Sequence, residues 1–241
     1  MLNIGMIGGL SWQSTAEYYR IINETLNQKL GGHHSARCSV VSVNFEPVLS
    51  WMEDGNWDCV AAVMTDAAES LEACGADFFL FCCNTVHKVA EQVQARVGIP
   101  LLHIADAAAE SIKAARVRKV GLLGSTFTME QDFYRGRLAA AHGIEVLVPE
   151  LADGREVHRI AVEELDFGVV LESSRRKTLS VMENLTARGA EAIVLGCTEL
   201  SLLIKQQHTD IPVFDTTLIH AQTAVARALA GKEGGDELTR G

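Results

Sequence analysis

A chain of 241 residues with 48% apolar and 22% charged residues has the composition of an ordinary globular protein, long enough for one large domain or two of roughly 100 to 120 residues. Its formal charge of −10, from 31 acidic against 21 basic residues, argues against a nucleic-acid surface, because neutralising phosphates requires clustered Lys and Arg. No stretch approaches the ~18 uninterrupted apolar residues of a membrane span, and the opening MLNIGMIGG lacks a basic n-region and cleavage site. A cytoplasmic chain with small-molecule partners, without membrane or nucleic-acid contacts, is expected.

In chain order, LNIGMI (2–7) reads as a strand, STAEYYRIINETLNQKL (14–30) as a helix, SVVSVNF (39–45) as a strand and WDCVAAVMTDAAESLEAC (57–74) as a helix. FFLF (78–81) and AIVL (192–195) are continuously apolar, as strands buried on both faces should be. The alternation predicts an α/β fold of parallel sheets flanked by helices. A boundary between two halves is expected in the Ala-rich helix AAAESIKAARVRK (107–119). MEQDFYRGR (129–137) reads as a solvated helix face, with Thr128 either capping it or touching substrate. The polar, glycine-rich tail 231–241 reads as unstructured.

A repeat organises these elements. Gly75-Ala76-Asp77, an apolar run and Cys83-Asn84-Thr85 match Gly189-Ala190-Glu191, an apolar run and Cys197-Thr198-Glu199. Ile4-Gly5-Met6-Ile7-Gly8 pairs with Val120-Gly121-Leu122-Leu123-Gly124, and Ile99-Pro100 with Ile211-Pro212. Three landmarks in one order imply two similar α/β halves. Ligands of open α/β sheets bind beyond the carboxyl ends of the strands, so Cys83 and Cys197 would point into one cleft if the halves face each other there.

Six cysteines (38, 59, 74, 82, 83, 197) in such a chain are expected to stay reduced. Strand side chains alternate faces, so Cys82 and Cys83 cannot point the same way. The repeat sets Cys83 opposite Cys197 and Cys82 opposite Gly196, which assigns Cys83 to the site and Cys82, with Cys38, Cys59 and Cys74, to core filling. Both selected cysteines sit where a strand should give way to a helix, whose N-terminal N–H groups would lower a thiol toward neutrality. Asn84, Thr85, Thr198, the Thr126/Thr128 pair and backbone N–H groups after Gly8-Gly9 and Gly124 add donors suited to a carboxylate. One thiol on each face of an α-carbon is what two-base racemisation needs. Glu199 either tunes the neighbouring thiol or starts a helix with favourable charge. A metal site from Cys82, Cys83 and His87 would lack a fourth ligand, and His33, His34 and His103 read mainly as loop or strand-end residues with satisfied hydrogen bonds. No Walker loop, PLP-lysine context or metal-ligand spacing is present, so cofactor-free and metal-free chemistry is expected.

GMIGGLSWQST, FCCNTVHKVA, STFTMEQDFY and GCTELSLLI together resemble the four signature segments of the cofactor-independent aspartate/glutamate racemases. That resemblance implies two pseudo-symmetric flavodoxin-like domains, 1–105 joined by 216–241 and 106–215, with the active site between them, in a homodimer. It makes Cys83 and Cys197 the catalytic acid/base pair, beside which Glu199 is a candidate supporting acid/base on the reading given above. Asn84, Thr85 and Thr198 would hold the α-carboxylate, with Thr126, and Leu10 and Ser11 would complete the substrate site. Aspartate-selective members grip the distal carboxylate with basic side chains, yet segments 42–57 and 162–168 contain no Lys or Arg, which points to a broader amino-acid pocket. The other readings are a related isomerase or decarboxylase of maleate, malonate or hydantoin type, and a two-lobed binding protein without chemistry.

Overall fold

Two units make up the chain: Met1–His103 together with the segment that begins at His220, and Ile104–Ile219. The structure, a computed structural model, describes residues 1–231; the glycine-rich tail from residue 232 lies outside the described residues.

In the first unit, β1 (Ile4–Gly8) leads to α1 (Trp12–Leu30), which starts two residues earlier than expected because Ser11 caps it, its Oγ accepting the Ser14 N–H at 3.3 Å. Next come β2 (Cys38–Ser42), α2 (Phe45–Glu53), α3 (Trp57–Ala73), β3 (Phe78–Phe81), a 3₁₀ turn over Thr85–Val89 and α4 (Ala90–Gln94). The strand expected over 39–45 therefore stops at Ser42. Asn44 occupies the N-cap position of α2, and Pro47 falls in its first turn, where a missing N–H costs no helical hydrogen bond.

The three strands pair in parallel in the order β2-β1-β3, with Ile4 opposite both Cys38 and Phe78, and a single parallel bridge from Phe79 to Leu101 extends the sheet. All residues of β1 and β3 are buried, as a central parallel pair covered on both faces requires. Ile4, Met6, Phe78, Leu80 and Cys82 pack in one core with Tyr18, Ile22 and Leu26 of α1 and with Ala221, Ala224, Val225 and Ala228 of the returning C-terminal segment.

The second unit opens with α5 (Ile104–Ala114) and β4 (Lys119–Gly124), so the break in the chain precedes the Ala-rich helix instead of falling within it. α6 (Thr126–Glu130) and α7 (Asp132–His142) follow. The single helix face read over 129–137 is interrupted at Gln131, whose backbone is extended. Ser125, not Thr128, caps α6: its Oγ accepts the Thr128 N–H at 3.3 Å. Then come β5 (Glu145–Leu147), α8 (Leu151–Arg159), a π turn at Ile160–Glu164, a 3₁₀ turn at Leu165–Phe167, α9 (Glu172–Ala187), β6 (Ala192–Gly196), α10 (Leu200–Leu203), β7 (Val213–Asp215) and the start of α11 (Thr216–Ala230), whose residues from His220 belong to the first unit.

Its parallel sheet runs β5-β4-β6-β7, with Val120 opposite Ala192 and Leu123 opposite Leu195. The repeat is thus structural: β1, β2 and β3 correspond to β4, β5 and β6, and the Leu101 bridge to β7. Ile7 opposite Phe81 answers Leu123 opposite Leu195, so the chain two residues beyond each pair arrives at Cys83 and Cys197.

Candidate active site

In the first unit the β-ladder persists one residue past β3, since the Cys82 N–H donates to Ile7 O at 2.9 Å. Alternation then sends Cys82 into the core, fully buried, where burial pushes its thiol far above the ordinary range. Cys83 emerges on the other side, partly exposed, followed by the buried Asn84 and Thr85. Of the remaining cysteines, Cys38 is partly buried and packs against the core of the first unit, whereas the expectation of core filling fails for Cys74, which is exposed at the end of α3, and Cys59 in the first turn of α3 is only partly buried.

Leu10 and Ser11 follow β1 and are buried; the Ser11 hydroxyl contacts Ser14 Oγ at 3.0 Å as well as capping α1. Just before them, the Gly9 N–H donates to Thr15 Oγ1 at 2.8 Å. The first unit thus holds Leu10, Ser11, Cys83, Asn84 and Thr85. The second holds Thr126, Cys197, Thr198 and Glu199.

Cys197 follows β6 directly. The preceding Gly196 is needed for close packing: a Cβ there would lie 2.9 Å from Leu122 Cδ1 and 3.1 Å from Leu123 O. Thr198 and Glu199 are buried, while Thr126 at the start of α6 is partly buried. The Cys197 thiol donates to Glu199 Oε2 at 2.9 Å. Burial, the Glu199 charge and that hydrogen bond hold the Cys197 thiol well above its ordinary value, with a smaller contribution from Asp166.

The expected lowering of both thiols by helix N-termini is therefore overturned at Cys197. α10 has only four residues, so few peptide dipoles align behind it, and a buried carboxylate beside the sulfur outweighs them. After Cys83 the chain likewise enters a five-residue 3₁₀ turn and the five-residue α4 instead of a long helix.

Two residues escaped the sequence reading. Asp166, in the turn before α9, is raised to about 7 by burial and then by the Glu199 charge. Only the fold brings that turn against α10, so no spacing rule marks it. Lys88 lies 3.8 Å over the Trp57 ring, which delivers a cation to a segment, 42–57, that encodes none of its own. Among the described residues, no group of three or more His, Cys, Asp or Glu side chains could hold a metal ion.

The family model described as Asp/Glu/Hydantoin racemase matches residues 7–224. The chain belongs to that family. Racemases are isomerases, and this chain is an enzyme of that family. It is 22% identical over 231 residues to the broad specificity amino-acid racemase RacX of Bacillus subtilis, covering 94% of this chain and 98% of the relative. A crystal structure of a candidate Asp/Glu racemase from Yersinia pestis is 47% identical with a TM-score of 0.90, covering 95% of this chain and 100% of that one. An aspartate racemase homologue from Pyrococcus horikoshii is 36% identical with a TM-score of 0.84, covering the same shares. The two parallel sheets flanked by helices match these racemase structures.

Proposed function

We propose that the chain is a PLP-independent amino-acid racemase in which Cys83 and Cys197 serve opposite faces of one α-carbon. The observation that carries this reading is their register: each is the partly exposed residue two positions beyond equivalent paired residues, Phe81 and Leu195, in equivalent sheets. In one direction the Cys83 thiolate takes the α-proton and the Cys197 thiol delivers its own to the opposite face; in the other direction the roles exchange. One C–H bond breaks and one forms, so no redox partner is needed.

Asn84, Thr85, Thr126, Thr198, Leu10 and Ser11 form the substrate site in this reading, with Asn84, Thr85 and Thr198 on the α-carboxylate. The thiol of Cys197, held protonated by burial and Glu199, is suited to be the proton donor of the resting enzyme. The substrate range extends past aspartate and glutamate. The absence of Lys and Arg from 42–57 and 162–168 supports that breadth, as does the likeness to the broad specificity amino-acid racemase of Bacillus subtilis. A cytoplasmic homodimer is the proposed working form.

Proton NMR in D₂O of L- and D-aspartate, L- and D-glutamate and several neutral amino acids tests the proposal. The expected result is loss of the α-proton signal together with appearance of the other enantiomer, abolished by Cys83→Ser and by Cys197→Ser. Racemisation that survives either substitution refutes the two-base assignment. Absence of exchange with every amino acid refutes the racemase reading and favours the dicarboxylate-isomerase or binding-protein alternatives.

A further inference from the structure

Three imidazoles lie buried in the first unit: His87, His103 and His220. The His87 ring centroid is 4.6 Å from that of His103, 6.0 Å from that of His220 and 5.1 Å from that of Phe81. His103 lies between the Leu101 bridge and α5, at a strand end as expected, and packs in this cluster. It is the last residue of the unit before the chain leaves, and His220 is the first on return.

Hydrogen bonding assigns the tautomers. His87 Nδ1 is 2.9 Å from Cys83 O and 3.2 Å from Asn84 O; both are acceptors, so Nδ1 carries the proton. His220 Nε2 donates to Leu102 O at 2.8 Å, which leaves its Nδ1 to accept from the Tyr18 hydroxyl at 2.9 Å. Burial first, then His103 and His220, holds His87 well below the ordinary imidazole value, and burial lowers His220 to about 4. Both rings are neutral near pH 7, which preserves these tautomers.

The geometry has a consequence at the site. The Cys83 peptide lies just past the end of β3, and the Asn84 carbonyl also receives the His87 backbone N–H at 3.1 Å. We propose that His87 is a positioning residue for the reaction: through Nδ1–H it clamps the carbonyls of Cys83 and Asn84 and so aims the Cys83 thiol and the Asn84 amide. His103 and His220 back the ring, and the Tyr18–His220–Leu102 chain fixes His220. This inference rests on the acid/base role proposed for Cys83, because a clamp on an inert thiol would have no effect on turnover.

The test compares His87→Asn, His87→Gln and His87→Leu in the full-length protein. An asparagine amide reaches the place of Nδ1 and restores the donor; a glutamine amide reaches the place of Nε2 and does not. Expected are near wild-type kcat for His87→Asn and a fall of about 10- to 100-fold for His87→Gln and His87→Leu, with KM changed much less. Iodoacetamide labelling of Cys83, followed by mass spectrometry, should change several-fold in the Gln and Leu variants and stay near wild type in the Asn variant. Equal losses in the Asn and Gln variants would reduce His87 to bulk packing and overturn the proposal, as would a folded His87→Leu protein with unchanged kcat and unchanged labelling. Labelling does not require turnover, so it separates a failure of the clamp from a failure of the racemase reading. If the Leu variant does not fold, the Asn and Gln pair decides.

Discussion

Acidification should weaken the first unit through His220, and the cost can be worked from its setting. Its pKa falls from 6.5 to about 4 because burial disfavours the charged ring, only partly opposed by the Leu102 carbonyl. The unfolded chain therefore binds a proton between these values that the folded chain refuses. Stability is fully present above about pH 6.5 and is lost as pH falls toward 4. At about 1.4 kcal/mol per pKa unit, the ring contributes about 3 kcal/mol of acid sensitivity. His220→Gln removes the titration while keeping a donor for Leu102 O, at the expense of the Tyr18 hydrogen bond, worth about 1 kcal/mol. The variant should thus be less stable than wild type at pH 7 and should close or reverse that gap by pH 4.5. Hydrogen exchange of the β1 and β3 amides, followed in urea, reads the first unit alone. Asp166, whose raised carboxyl pKa acts with the opposite sign, sits in the second unit and is common to both proteins. A stability gap that stays constant from pH 7 to 4.5 would refute the reasoning.

Three further outcomes are expected. Glu199→Gln removes the charge that raises Cys197, so in a Cys83→Ser background Cys197 should be alkylated about threefold faster or more at pH 7; an unchanged rate would show that burial alone sets the thiol. Cys82→Ala should cost about 1 kcal/mol from the small cavity left beside β1 and preserve racemisation, whereas loss of activity in a folded variant, judged by its thermal midpoint, would show that Cys82 is more than packing. Gly196→Ala should destabilise the second unit by about 1–3 kcal/mol, because its Cβ meets Leu122 and the Leu123 carbonyl. A thermal midpoint equal to wild type would contradict that packing.

Much of the architecture was legible before any coordinates, for reasons that can be named. FFLF and AIVL coincide with β3 and with the first four residues of β6, because strands covered on both faces must be apolar at every position. The 114-residue offset between Cys83 and Cys197 survives as equivalent register because both sheets carry the same strand order around their central pair. The period of two along a strand set Cys82 and Cys83 on opposite faces, the repeat chose Cys83, and Cys82 does lie in the core. Local rules failed where termini compete: Asn44 and Pro47 turned the end of an apparent strand into α2, and Gln131 divided an apparent helix.

Periodicity, repeat and cysteine placement are local or paired features, written along the chain, and the sequence by itself determined them: two α/β halves, each with a thiol at the same place. The proton affinity of those thiols and the shape of their turns depend on groups far apart in the chain. His87 meets His103 and His220, 16 and 133 residues on, and Asp166 meets Glu199 through the packing of a turn on α10. Those neighbours were decided only by the tertiary structure, because burial and Coulomb interactions follow distance in space, and no sequence spacing encodes that distance.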